Sequence, residues 1–253
     1  MLEIFFLIQI FVAFGLPIFL MLFFVSHASN RRSAISIIAV GVSFFLLTQI
    51  LRIPILTITA LENLLTLSVV VQSIWFISFS GVTEECLRYC AMRFIPVVRR
   101  NLQVSVIGYV IGYAGIESIL LVGMSISGLF VVYFLYSNNL LDIPVTPEVQ
   151  QQILEMSHLP TYMPLVGIVN NVATIIMKLG VSLVVAASVY FRKPLYLILA
   201  IILNSLFGIS IFALSQIWGD LMITLVVVGL SVIILYIGYR FFQPRLNQLR
   251  NID

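Results

Sequence analysis

Ser80-Gly-Val-Thr-Glu-Glu-Cys-Leu-Arg-Tyr-Cys90 places Glu84, Glu85 and Arg88 inside an apolar run that extends over about residues 65–92. The rest of the chain decides what that means. Of 253 residues, 61% are hydrophobic and only 9% charged, with a mean hydropathy of +1.15. A soluble domain carries about 25% charged residues, so this is an integral membrane protein. The three charges then lie in hydrocarbon, where an unpartnered ion is expensive and an ionisable cluster marks a site by default. The structural alternative is a buried ion pair that only holds helices together. On a helix, Glu84 and Arg88 are four residues apart and share a face, while Glu85 points about 100° away. The pattern therefore predicts a Glu84–Arg88 pair.

Outward from this stretch, apolar windows of about 20 residues give seven spans, at 4–26, 34–51, 65–92, 104–136, 163–190, 195–217 and 220–242. The fold class they predict is all-α, a polytopic membrane helix bundle forming a single integral membrane domain over 1–253. The third, fourth and fifth spans exceed the minimum length, so they are expected to tilt, break or project beyond the bilayer. The start, Met1-Leu-Glu-Ile, has no basic n-region and its apolar run reaches Val25, so it reads as a first span rather than a cleaved signal peptide.

Basic residues follow alternate spans: Arg31 and Arg32, then Arg93, Arg99 and Arg100, then Arg192 and Lys193, then Arg240, Arg245 and Arg250. The other loops carry Glu62, Asp142, Glu148, Glu155 and Asp220, with Arg52 the only cation near them. The positive-inside rule then predicts an outside N-terminus and a cytoplasmic C-terminus. The segment 137–162, with three prolines and a glutamine-rich acidic piece at 148–155, reads as a solvated external loop or a short interfacial helix. The cations sit at helix ends, where they serve topology, so nucleic acid is not an expected partner. The expected surroundings are a lipid bilayer.

Counting along each span at 1.5 Å per residue places Glu84 and Glu85 roughly 15 Å from the basic membrane face, Glu117 and Lys178 roughly 20 Å, and Asn204 roughly 14 Å. Four spans thus bring polar groups to one depth, which points to one shared site. Three carboxylates against two cations leave a surplus negative charge, relieved most cheaply by a proton shared within the cluster. Such a cluster suits general acid–base chemistry on water or proton-coupled transport equally. Tyr113 lies four residues before Glu117 and is placed to donate into the site or simply to pack. Gly108, Gly112 and Gly115 allow neighbouring helices to approach. Asn170, Asn171 and Ser182 read as interhelical hydrogen-bonding groups.

The only histidines, His27 and His158, fall in loops. Cys86 and Cys90 read as small apolar residues, and no zinc site of the usual imidazole or thiolate type is expected. No metal and no other cofactor is predicted.

Gly81-Val-Thr-Glu-Glu-Cys-Leu-Arg-Tyr-Cys-Ala-Met-Arg-Phe94 resembles the Glu-Glu-x-x-Arg-Tyr segment of the YhfC-type bacterial membrane proteins, within the broad group of CAAX-processing and bacteriocin-processing intramembrane proteases. Gly108-Tyr-Val-Ile-Gly-Tyr-Ala-Gly-Ile-Glu-Ser-Ile-Leu-Leu121 is similar to the group's second motif, which usually reads Gly-His-Gly-Gly-Ile-Glu. A more distant similarity is to the anterior-pharynx-defective scaffold subunit of γ-secretase. The resemblance implies a bacterial cell membrane protein that cleaves a membrane-embedded or prenylated peptide. Glu84 and Glu85 would activate water, Arg88 would orient them, and Glu117 would be the acidic residue of the second motif. The chain departs from the pattern where histidines are expected, with Tyr113, Lys178 and Asn204 in their places. The same departures suit a catalytically inactive scaffold that binds a partner membrane protein. A small proton-coupled carrier is a third alternative, disfavoured by the lack of an inverted repeat.

Overall fold

The seven apolar windows fall on helical chain in the computed structural model, which describes residues 2–62, 68–138, 151 and 159–242. In chain order these are α1 (Leu2–His27), α2 (Arg31–Glu62), α3 (Val69–Phe94), the short α4 (Pro96–Arg99), α5 (Leu102–Glu117), a π-helical stretch Ser118–Gly123, α6 (Met124–Ser137), α7 (Met163–Phe191), α8 (Pro194–Ser215) and α9 (Asp220–Phe242). Among the described residues there is no strand. Most of the predicted acidic piece 148–155 lies outside the described residues.

Local chemistry sets the boundaries. Asn30 accepts a hydrogen bond from the Ser33 amide at 3.1 Å and caps α2, and Ser68 caps α3 by accepting from Val71. Pro96 and Pro194 occupy first-turn positions, where a missing N–H costs nothing. α2 runs 32 residues, about 48 Å, and so outlasts the predicted span 34–51 by some three turns. The fourth window is broken as expected, by the wider turn of the π segment between α5 and α6.

Six segments are long and apolar enough to cross a membrane: Leu2–His27, Arg31–Pro54, Leu102–Ser137, Met163–Phe191, Pro194–Ser215 and Asp220–Phe242. α3 is as long as α1, at 26 residues, but Glu84, Glu85, Arg88 and Arg93 break its apolar character. The predicted third span is therefore a helix whose charges must be answered by its neighbours.

The neighbours are arranged around α7, which packs against α1, α3, α5, α8 and α9 and is the most enclosed of the spans. Small residues bring backbones together in two places. A Cβ on Gly180 of α7 would meet the backbone of Ile234 and Leu235 in α9, and one on Gly238 would meet the Gly180 carbonyl. Likewise Gly41 of α2 faces the backbone of Tyr109 and Tyr113, and Gly112 of α5 faces that of Ile38. Close packing of this kind is what associates helices where lipid removes the hydrophobic driving force.

Candidate active site

On α3, one turn carries both glutamates, and its two neighbours divide them. Arg88 Nη1 donates to both oxygens of Glu85, at 2.6 Å each, and Asn204 of α8 donates to Glu85 Oε1 at 2.7 Å. The predicted Glu84–Arg88 pair is thus replaced by an i, i+3 pair with Glu85, a spacing that also shares a helix face. Both partners are sealed, with side chains 0–1% exposed.

Glu84 turns the other way. Lys178 of α7 donates to its Oε2 at 2.6 Å, Asn204 reaches the same atom at 3.4 Å, and Ser80 donates to Oε1 at 3.3 Å. The Arg52 guanidinium stands 3.6 Å from Oε1 and donates to Ser80 at 2.7 Å. Lys178 also lies 3.2 Å from Glu117 Oε2, so its ammonium bridges carboxylates from two helices. Glu84, Glu85, Arg88, Glu117, Lys178 and Asn204 are therefore brought together, as the common depth predicted.

Arg52 is the residue that the sequence reasoning missed, having been counted with the external loops. The signal was its place one residue beyond an apolar window, with further apolar residues on both sides of Pro54 after it. Its arrival changes the charge sum: three carboxylates now face Arg52, Arg88 and Lys178, so the formal charges of the cluster balance. Each ion has an opposite neighbour, which is what burial in low dielectric demands.

Tyr113, read as a donor into the site or as a packing residue, follows the second reading in the structure. Its hydroxyl donates to Thr48 at 3.4 Å, away from the carboxylates. Its ring instead faces both cations, with Arg88 Cζ 5.1 Å and Lys178 Nζ 5.5 Å from the centroid. At that range the ring's negative face stabilises cations whose hydration is gone. Asn171 donates to Ser118 at 2.8 Å and Ser118 to the Ala13 carbonyl at 3.0 Å, tying the π segment to α1 and α7 beside Glu117. Ser182 donates only to the Lys178 carbonyl in its own helix, at 2.7 Å.

Two cavities flank this ladder of charges. One, of about 300 Å³, is lined by Arg52, Ser80 and Asn204 with the apolar side chains Phe76, Ile77 and Phe207. The other, of about 310 Å³, is lined by Glu117, Asn170, Asn171, Ser118 and Gln9. Glu117 is 20% exposed against 7% for Glu84 and 0% for Glu85, so it is the least enclosed of the three carboxylates.

A bundle of apolar helices enclosing a neutralised, cavity-flanked ionic ladder belongs to the polytopic membrane proteins with a polar intramembrane site. The chain belongs to the family described as YhfC intramembrane metalloprotease, which it matches over residues 11–232. It is 27% identical over 208 residues to the uncharacterized membrane protein YhfC of Bacillus subtilis (strain 168), covering 78% of this chain and 79% of that protein. No solved structure matches.

The family's description implies a metal, and the donors here do not fit one. The space between Glu84 and Glu117 is filled by the Lys178 ammonium, which carries the positive charge an ion would supply. Glu85 is saturated by Arg88 and Asn204. Among the described residues no three His, Cys, Asp or Glu side chains cluster as metal ligands. His27 lies at the end of α1, bonded to Phe23 and Ser26, and Cys86 is exposed on the outer face of α3.

Proposed function

We propose that this protein is an intramembrane peptidase of the glutamic type, acting on a membrane-embedded or prenylated peptide in a seven-span bundle with its N-terminus outside. The observation that carries the reading is Glu117, a carboxylate held against a lysine ammonium at the wall of a cavity large enough for about ten waters. Both oxygens of Glu84 and of Glu85 are occupied by donors, which favours Glu117 over either as the base. In the reaction, Glu117 accepts a proton from water as the water oxygen bonds to the scissile carbonyl carbon. The carbonyl electron pair moves to oxygen, where Lys178 offsets the charge. The C–N bond then breaks as Glu117 returns the proton to the departing nitrogen. Glu84 positions Lys178, while the Glu85–Arg88–Asn204 group holds α3 to α8.

The test is cleavage of a transmembrane peptide reporter by the purified protein in liposomes. Glu117→Gln is expected to lower the rate by about 10²–10⁴-fold, and chelators are expected to leave it unchanged. A rate indifferent to Glu117→Gln sinks the mechanism; loss to chelator with recovery on adding zinc sinks metal independence.

A second reading, a non-catalytic scaffold, is favoured by one observation: the Glu85–Arg88 pair is dry and closed, as a purely structural pair would be. Copurification of a stoichiometric membrane partner without hydrolysis would support it over the first.

A further inference from the structure

At the opposite end of the helices from the N-terminus, the chain's cations gather with no acid to answer them. Arg93, Arg99, Arg100 and Arg192 line one cavity of about 320 Å³, together with the first residues of α5. Among the described residues no carboxylate lies within 4.0 Å of any of these four, since the ion pairs there all belong to the intramembrane ladder. Topology needs only that arginines sit near this face. It does not need four of them, from α3, α4, the α4–α5 junction and the end of α7, around one hollow.

The floor of this hollow is the start of α5. Its N-cap, Asn101, makes no side-chain cap hydrogen bond, so the first amides of this 16-residue helix have no intrahelical acceptor. A neighbouring cavity of about 740 Å³ shares Arg100 and Asn101 with the first. Into its wall is set Ser105, 1% exposed, whose hydroxyl has no hydrogen-bond partner. A buried donor without a protein partner is rare, and a ligand atom in the cavity would supply one. The rest of that wall is largely apolar, with Phe24, Ile37, Ile95 and Val97.

Arg192 adds an independent sign. It follows α7 in the left-handed conformation, at φ 55 and ψ 35, and it is the only non-glycine residue with positive φ among the described residues. Glycine is the residue that ends helices this way. An arginine keeps the strained position where its guanidinium has a use.

We infer that the paired cavities at the start of α5 bind the phosphate of an anionic membrane phospholipid. Arg93, Arg99, Arg100 and Arg192 are its counter-charges, the α5 amides and Ser105 are its neutral donors, and the apolar wall receives the glycerol and upper acyl chain. Guanidinium forks match phosphate oxygens, helix N-termini attract anions, and basic hollows between helices suit lipid headgroups. The apolar wall favours a lipid over free phosphate.

The experiment is native mass spectrometry and thermal unfolding of the delipidated full-length protein in detergent, titrated with phosphatidylglycerol, with phosphatidylcholine, or with inorganic phosphate. Phosphatidylglycerol is expected to be retained on the order of tenfold better than phosphatidylcholine and to raise the unfolding temperature, with millimolar phosphate failing to displace it. Arg100→Gln is expected to lose that preference. Arg192→Gly is expected to lose most of it while unfolding at the same or a higher temperature without lipid, because glycine relieves the left-handed backbone. That separates binding from folding. Equal retention of the two lipids, or retention unaffected in both variants, overturns the site; displacement by inorganic phosphate shows that a free anion is the occupant and overturns the lipid assignment.

Discussion

The two charged regions of this protein follow opposite rules. In the interior, Glu84, Glu85 and Glu117 meet Arg52, Arg88 and Lys178 one for one, with contacts as short as 2.6 Å. At the basic end, four arginines surround a hollow without a single described acid. The difference is dielectric. An ion deep in the bundle must be neutralised chiefly by the protein itself, because lipid cannot do so and little water reaches it. At the membrane face, water and headgroups supply the counter-charge, so an imbalance persists and becomes a means of binding. Neutrality within and excess at the rim are two solutions to one electrostatic problem.

The sharpest way to break the interior balance is Lys178→Met, which strands Glu117 and leaves Glu84 with Arg52 as its only cation. We expect about 3–5 kcal/mol of lost stability in unfolding titrations, and partial recovery in Lys178→Met/Glu117→Gln, where the stranded charge is also removed. Arg88→Met should cost nearly as much, since Glu85 is fully enclosed and retains only Asn204. Gly180→Val probes packing alone: with Ile234 and Leu235 backbone in the way, a loss of roughly 1–3 kcal/mol is expected, without any change in charge. Arg52→Gln restores the surplus negative charge at a partly exposed position, 22% accessible, and should cost only about 0.2–1 kcal/mol in the same measurement. Arg192→Gly, at the rim, should change lipid-free stability by less than about 1 kcal/mol, in the stabilising direction. If the rim variant proved as destabilising as Lys178→Met, the contrast between the regions would collapse.

Much of the site was legible before any coordinates. Glu84, Glu85, Arg88, Glu117, Lys178 and Asn204 were chosen because polar groups in apolar spans are costly and because simple rise per residue put them at one depth. What depth along a helix cannot supply is azimuth. Arg88 was therefore paired with Glu84 rather than Glu85, and Tyr113 stayed open between donating and packing, where the fold turns its ring to the cations. Arg52 was lost for a different reason. Hydropathy ended the second span at residue 51, whereas the backbone continues in helix to Glu62, carrying Arg52 to a point from which its long side chain reaches Ser80.

Composition and periodicity by themselves determined that this chain is an apolar helix bundle with an ionisable centre and a basic face. Those properties follow from how each residue type partitions between water and hydrocarbon, which needs no knowledge of neighbours. Only the tertiary structure decided which charges meet. Pairing depends on the rotation of each helix and on side-chain reach, and these were set by close contacts such as Gly41 with α5 and Gly180 with α9. The same packing placed Lys178 between Glu84 and Glu117, and it gathered arginines from separate helix ends around the start of α5.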